Sequence, residues 1–144
     1  MPTVEKEIKF GAKSDEYADE IAEKFGVKHL YVRHPQSLSE GQKRRVSIAA
    51  VVATAPEVLI LDEPTVGQDY KGLCEMTEIL NRIHEETKNT MITVTHDKRC
   101  AAALCDRAVW IKDGKVRKTG GKELAEEFFK DPTGNAKKLA SDNF

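Results

Sequence analysis

Aromatic residues make up only 6% of the 144 residues, with a single tryptophan. That leaves too few rings to interleave with basic side chains as a stacking platform for single-stranded nucleic acid. Neither sign of charge prevails: 23 Lys and Arg face 24 Asp and Glu, for a net charge of −1. The chain therefore has no global pull toward nucleic acid or anionic lipid. Cysteine is scarce and odd in number, at Cys74, Cys100 and Cys105, without a C-x-x-C spacing. This argues against a zinc ribbon or a disulfide framework and predicts reduced thiols. Long apolar runs are absent as well. The longest, Val46 to Leu61, is broken by Thr54, Pro56 and Glu57, short of the roughly 20 residues that cross a bilayer. The opening MPTVEKEIKF alternates charged and apolar residues and does not read as a signal peptide. There are no repeats and no low-complexity tracts.

What is present suits one domain with a sizeable core, since 40% of the residues are hydrophobic and 33% charged. Thr3 caps a short predicted helix, VEKEIKF, ending at Gly11. Ser14 starts a second, DEYADEIAEKF, with Tyr17, Ile21 and Phe25 on one face and Gly26 as its stop. After a connector, Ser39 is a good N-cap for a helix that is apolar nearly all round from Val46 to Ala53. Its second half is expected to be buried.

From there the pattern changes. VLIL, at 58–61, is a continuous apolar run, the sign of a parallel strand covered on both faces. A helix from Lys71 to Glu86 follows, with Leu73, Met76, Leu80 and Ile83 as a core stripe. TMITVT at 90–95 reads as a second strand, Lys98 to Leu104 as a short helix, and RAVWI at 107–111 as a third strand. Asp113-Gly114 is a hairpin turn, Gly120-Gly121 a turn before a last helix, KELAEEFF, and the tail after Asp131-Pro132 is polar. Strand–helix–strand order calls for right-handed crossovers and a mostly parallel sheet. The fold class is α/β, with a helical segment in front.

In open α/β sheets, ligands bind beyond the carboxyl ends of the strands. The first strand finishes in Asp62-Glu63-Pro64 and the second in Thr95-His96-Asp97, which places ionisable groups at one sheet edge. One carboxylate suits Mg²⁺, an oxygen-seeking ion; the other suits orientation of a water, with His96 at a developing anionic oxygen. Taken singly, an Asp-Glu pair is as readily a cap or a solvated turn, and a lone His is as readily structural. His29 and His34, without a third ligand, read as surface residues.

The stretch LSEGQKRRVSIAAVV, 38–52, poses a separate question. Lys43, Arg44 and Arg45 crowd a helix N-terminus, where cations are disfavoured, and Gly41 stands where alanine would be about 1 kcal/mol better. With these residues in view, most of the chain resembles the ATP-binding subunits of ABC transporters. Leu38-Ser39-Glu40-Gly41-Gln42 resembles the family signature LSGGQ. Val58 to Glu63 resembles the Walker B strand, Val66-Gly67-Gln68-Asp69 the D-loop, and His96 the switch histidine. TVEKEIKFG and RHPQSLSEGQ look most like the energy-coupling-factor and cobalt-uptake branch.

The resemblance implies a C-terminal part of a P-loop NTPase domain. Residues 1–56 would be a helical subdomain carrying the signature, 57–121 a partial ATPase core, and 122–144 a C-terminal helix and tail. It implies catalytic roles for Glu63, on the hydrolytic water, and His96, on the γ-phosphate, with Asp62 at Mg²⁺. Ser39, Glu40, Gly41, Gln42 and Asp69 would serve ATP, the signature acting on nucleotide held by a facing subunit. Helix N-termini suit phosphate, and glycine permits close backbone approach. The implied partners are a second ATP-binding subunit and a transmembrane transporter subunit, at the inner face of the cell membrane, with no nucleic acid.

The Walker A loop, G-x-x-x-x-G-K-[ST], is missing. The two Gly-Lys pairs, Gly114-Lys115 and Gly121-Lys122, have neither a glycine five residues earlier nor a following Ser or Thr. The adenine-stacking aromatic and the Q-loop are missing too, and the resemblance starts at Pro2-Thr3, which implies the back half of such a domain. Without the Walker A strand, the sheet is expected to have a gap with unpaired edges. Glu40 replaces a glycine, and Gln68 stands where the D-loop commonly has an apolar residue. Two readings follow: an ATPase part that works only when complemented, or a non-catalytic truncated relative acting as a binding or assembly module.

Overall fold

Short polar side chains start the helices of the front half. In the computed structural model, which describes residues 2–130, Thr3 Oγ1 accepts from Lys6 N–H at 3.3 Å and begins α1, Val4–Lys9. Ser14 Oγ accepts from Tyr17 N–H at 3.1 Å and begins α2, Asp15–Lys24. These hydroxyls satisfy amides that a helix start leaves without partners. Two 3₁₀ turns, Lys28–Leu30 and Pro35–Ser37, carry the connector; the His34 ring caps the second by accepting from Gln36 N–H. α3 spans Glu40–Ala53, and both α1 and α2 pack on it. Val46, Ile48, Ala49, Val52 and Ala53 are buried, as the sequence predicts, while Val51 faces outward.

An ion network ties α1 to α2. Lys9 Nζ lies 3.0 Å from Glu5, 3.6 Å from Asp15 and 3.4 Å from Asp19. The Tyr31 hydroxyl donates to Asp19 at 2.8 Å, and that bond, aided by Lys9 and Lys28, holds the Asp19 carboxyl below its ordinary range. A carboxyl lowered in the folded state contributes stability above its unfolded pKa, which is lost as pH falls through the folded value. Tyr31→Phe is therefore expected to lower Tm by a few degrees at neutral pH. The gap to the parent should narrow below about pH 4, as read by calorimetry across pH. A gap that persists into acid would contradict this assignment.

β1, Val58–Asp62, lies parallel to β2, Thr90–Val94, in the register Val58↔Thr90 to Asp62↔Val94. α4, Tyr70–Thr87, makes the crossover between them, with Leu73, Met76, Leu80 and Ile83 buried as expected. The strands depart from the sequence expectation in one respect. β1 is not covered on both faces: Leu59 and Leu61 are buried, but Val58 and Ile60 are 52% and 66% exposed, as are Ile92 and Val94 at 47% and 55%. Within the first unit, one face of this pair stays open.

The chain divides into two units, one ending at Val94 and the other beginning at Thr95. The second holds α5, Lys98–Leu104, the antiparallel pair β3, Arg107–Lys112, and β4, Lys115–Gly121, and then α6, Lys122–Lys130. Asp113 and Gly114 both take positive φ, 52° and 71°, as a two-residue hairpin turn requires. Gly120 and Gly121 belong to β4 rather than to a turn, so strand passes directly into α6. Trp110 packs against Phe128 with ring centroids 5.8 Å apart. The described strands thus form two-stranded sheets, the parallel pair β1–β2 in the first unit and the antiparallel pair β3–β4 in the second. The polar tail from Asp131 onward lies outside the described residues.

Candidate functional site

The first turn of α3 is built around a reciprocal cap. Ser39 Oγ accepts from Gln42 N–H at 3.3 Å, and Gln42 Oε1 accepts from Ser39 N–H at 3.1 Å. Each side chain serves the other's backbone, so the turn is held from both ends. The Ser39 hydroxyl keeps its own proton free to donate, because a hydroxyl both accepts and donates. Glu40 points away on the exposed side and accepts from Lys43 Nζ at 2.7 Å. That ammonium holds the Glu40 carboxyl below its usual range and offsets its charge near the helix start.

The basic triplet is thereby explained in part. Lys43 answers Glu40, and Arg45 Nη2 reaches Glu75 of α4 at 2.7 Å. Both cations serve contacts within the chain.

β1 delivers Asp62, which is exposed at the strand's carboxyl end opposite Val94. Glu63 follows with φ of +47°, a left-handed conformation that costs a non-glycine residue about 1 kcal/mol or more. Its N–H donates to the Val94 carbonyl at 2.8 Å, and its own carbonyl accepts from Val66 N–H at 3.2 Å. Those bonds pin the backbone on both sides and turn Glu63 out of the strand direction. The buried Pro64 and Thr65 then root the loop, and Gly67 turns it with φ of +77°. Asp69 ends the loop as the N-cap of α4, its Oδ1 accepting from Gly72 N–H at 2.7 Å.

The loop comes back to α3. Gln68 Nε2 donates to the Gly41 carbonyl at 3.2 Å. The stretch Ser39–Gln42 therefore meets the loop at Gln68, the residue before Asp69, and Asp62 and Glu63 stand at the opposite end of the same loop. His96 lies in the second unit, one residue after its start at Thr95 and next to Asp97, which caps α5 by accepting from Arg99 N–H at 2.8 Å. The Arg99 guanidinium holds the Asp97 carboxyl below its ordinary range.

In the sequence Gln68 stands out only as a departure from the D-loop pattern, and Gly72 does not stand out at all. The available signal was glycine inside a helix's first turn, where only a close neighbour justifies the lost propensity. A Cβ there would meet Gln68 Oε1 at 2.5 Å.

Residues 2–66 match the ABC transporter family model. The chain is 43% identical over 127 residues to the energy-coupling factor transporter ATP-binding protein EcfA2 of Enterococcus faecalis, covering 82% of this chain and 44% of that protein. Among solved structures, it superposes on CbiO1 of Clostridium perfringens, part of the ABC transporter complex CbiONQ. The TM-score is 0.68 at 34% identity, over 87% of this chain and 46% of that one. The ATP-binding cassette MJ0796, solved as a dimer bound to ADP and Pi, gives a TM-score of 0.68 at 29% identity, over 75% of this chain and 47% of that one. The chain spans about half the length of the curated relatives it matches.

Proposed function

From a chain that carries part of an ABC transporter ATP-binding domain, we propose an ATP-binding and ATP-hydrolysing component of an energy-coupling-factor type membrane transporter. It works as one part of the nucleotide site and lacks the phosphate cradle. The observation that carries this reading is the half-bare parallel sheet. Val58, Ile60, Ile92 and Val94 leave one face of β1–β2 open, although parallel sheets are stable when both faces are covered. A segment bearing the G-x-x-x-x-G-K-[ST] loop would cover that face and bring the missing phosphate contacts with it.

The residues present fit ATP and Mg²⁺. Asp62 is an exposed carboxylate at a strand's carboxyl end, the donor type that Mg²⁺ takes alongside phosphate oxygens and water. The ion's chemistry is to neutralise phosphate charge. Glu63, fixed at the start of the loop by its backbone bonds, holds the hydrolytic water and accepts its proton. His96 donates to a γ-phosphate oxygen. Ser39, with Gly41 and Gln42, presents a capped helix start and a hydroxyl proton to nucleotide on a facing subunit, and Lys43 keeps the Glu40 charge from opposing it. Asp69 closes the loop as the cap of α4.

On this reading, residues 1–56 act as the signature-bearing helical part and 57–121 as the partial ATPase core. The second ATP-binding subunit faces α3, and a transmembrane subunit docks the assembly at the cytoplasmic face. No helix among the described residues is long and apolar enough to cross a membrane itself.

The test is ATP turnover by the purified chain alone and after mixing with a polypeptide bearing the Walker A loop. Turnover is expected only in the mixture. Hydrolysis by the chain alone would overturn the incomplete-site reading; silence in both, with the two chains shown to associate, would favour a non-catalytic assembly module.

A further inference from the structure

Resting on the functional reading above, we infer that Gln68 is a positioning residue: its side-chain amide clamps the phosphate-facing turn of α3 to the loop that carries Glu63. A polar side chain at this point of an exposed loop has no need to reach another element. This one crosses to an element 27 positions earlier in sequence, donating through Nε2 to the Gly41 carbonyl at 3.2 Å.

Two glycines leave the space it fills. A Cβ at Gly41 would lie 3.2 Å from Gln68 Nε2, and a Cβ at Gly72 would lie 2.5 Å from Gln68 Oε1 and 3.1 Å from Asp69 Oδ1. The first is tight and the second impossible without displacement of the amide. Neither glycine has the positive φ that would explain it by backbone conformation, so the slot explains both. Gly41 admits the donor at the start of α3, and Gly72 admits the acceptor end over the first turn of α4.

Neighbouring bonds make the clamp stiff. Gln68 N–H donates to the Thr65 carbonyl at 3.2 Å, Asp69 caps α4 one residue later, and Arg45 joins Glu75 across the same pair of helices at 2.7 Å. The loop therefore cannot shift without either breaking the Gly41 bond or drawing the first turn of α3 with it. That turn includes Ser39 and Gln42, whose reciprocal cap sets where the serine proton points. An apolar residue at 68 would fill the slot but could not hold the Gly41 carbonyl.

Two variants test this. Gln68→Leu removes the donor and keeps the bulk; Gly72→Ala keeps the glutamine and pushes it out of its slot. In the chain alone, hydrogen exchange at the Gln42 and Lys43 amides is expected to speed up about fivefold in either variant, the effect of one hydrogen bond. Amides in the second half of α3 should not change. At these two amides the double variant should add little to Gln68→Leu alone, because the Gly41 contact is already lost there.

In the complemented protein, the KM for ATP is expected to rise about fivefold with kcat changed less than about twofold. A merely structural role would lower active fraction and leave KM alone. Unchanged exchange in both variants, or changed exchange with unchanged KM, would overturn the inference. If the parent mixture shows no turnover, the functional reading fails separately; exchange then decides the clamp by itself.

Discussion

Replacing Glu63 by glutamine is expected to reduce ATP turnover of the complemented protein by about a hundred- to ten-thousand-fold, the range seen when a positioned acid–base group is lost. ATP binding should be retained, because glutamine keeps the size of the side chain and Asp62 is untouched. The effect is expected to be large because the structure spends strain on the orientation of this residue. Glu63 sits at φ of +47°, a conformation more natural to glycine or asparagine. Its N–H is held by the Val94 carbonyl of the neighbouring strand and its carbonyl by Val66 N–H. Pro64 and Thr65 are buried immediately after it, so the turn cannot relax by peeling away. The backbone bonds do not depend on the carboxylate, and glutamine keeps the side chain's size and its capacity to hydrogen-bond, so the variant should fold as the parent does. Thermal unfolding of Glu63→Gln should thus match the parent within about 0.5 kcal/mol while turnover collapses. Parallel loss of both would mean that the side chain is structural; unchanged turnover would remove Glu63 from the chemistry.

The second large effect is expected at the bare sheet. Ile60→Asp places a charge in the middle of β1, where the side chain is 66% exposed and registers with Ile92 on the adjacent strand. In the chain alone there is room for solvent around the carboxylate, and stability should change little. In the complemented protein the same position becomes interior. Burial of the isoleucine is worth about 1.5–3 kcal/mol, and desolvating an unpaired carboxylate costs more again. Association with the Walker A segment is therefore expected to weaken at least about a hundredfold, as read by sedimentation or titration of the labelled segment. Equal affinity for parent and variant would show that this face is not where the segment binds. Severe unfolding of the isolated variant would show that Ile60 is already covered.

Local structure was largely legible in the residues themselves. Thr3, Ser14 and Ser39 each carry a hydroxyl where a helix begins, and each caps one. The Leu73, Met76, Leu80, Ile83 stripe announces α4, and Asp113-Gly114 announces the hairpin. Nearest-neighbour chemistry decides these features, so a single sequence contains them. The exposure of Val58 and Ile60 was not legible, since VLIL looks the same whether or not its cover is present. The clamp at Gln68 was illegible for a related reason. A glutamine in a polar loop has no periodicity, and its partner is a backbone carbonyl, which any residue type offers. The crowding of Lys43, Arg44 and Arg45 at a helix start had no explanation in the sequence; the structure pairs Lys43 with Glu40 and Arg45 with Glu75. Order and spacing of Ser39 to Gln42, Asp62-Glu63, Asp69 and His96 carried the family likeness. The junction that joins α3 to the loop after β1 emerged only from the fold.

The central claim is that this chain holds one side of an ATP site and lacks the other. Calorimetric titration of Mg-ATP tests it most directly. Into the chain alone, the expected result is no saturable heat below about 1 mM nucleotide; after the Walker A segment is added at equal concentration, saturable binding should appear. Saturable one-to-one binding by the chain alone, at an affinity the segment does not improve, would contradict it.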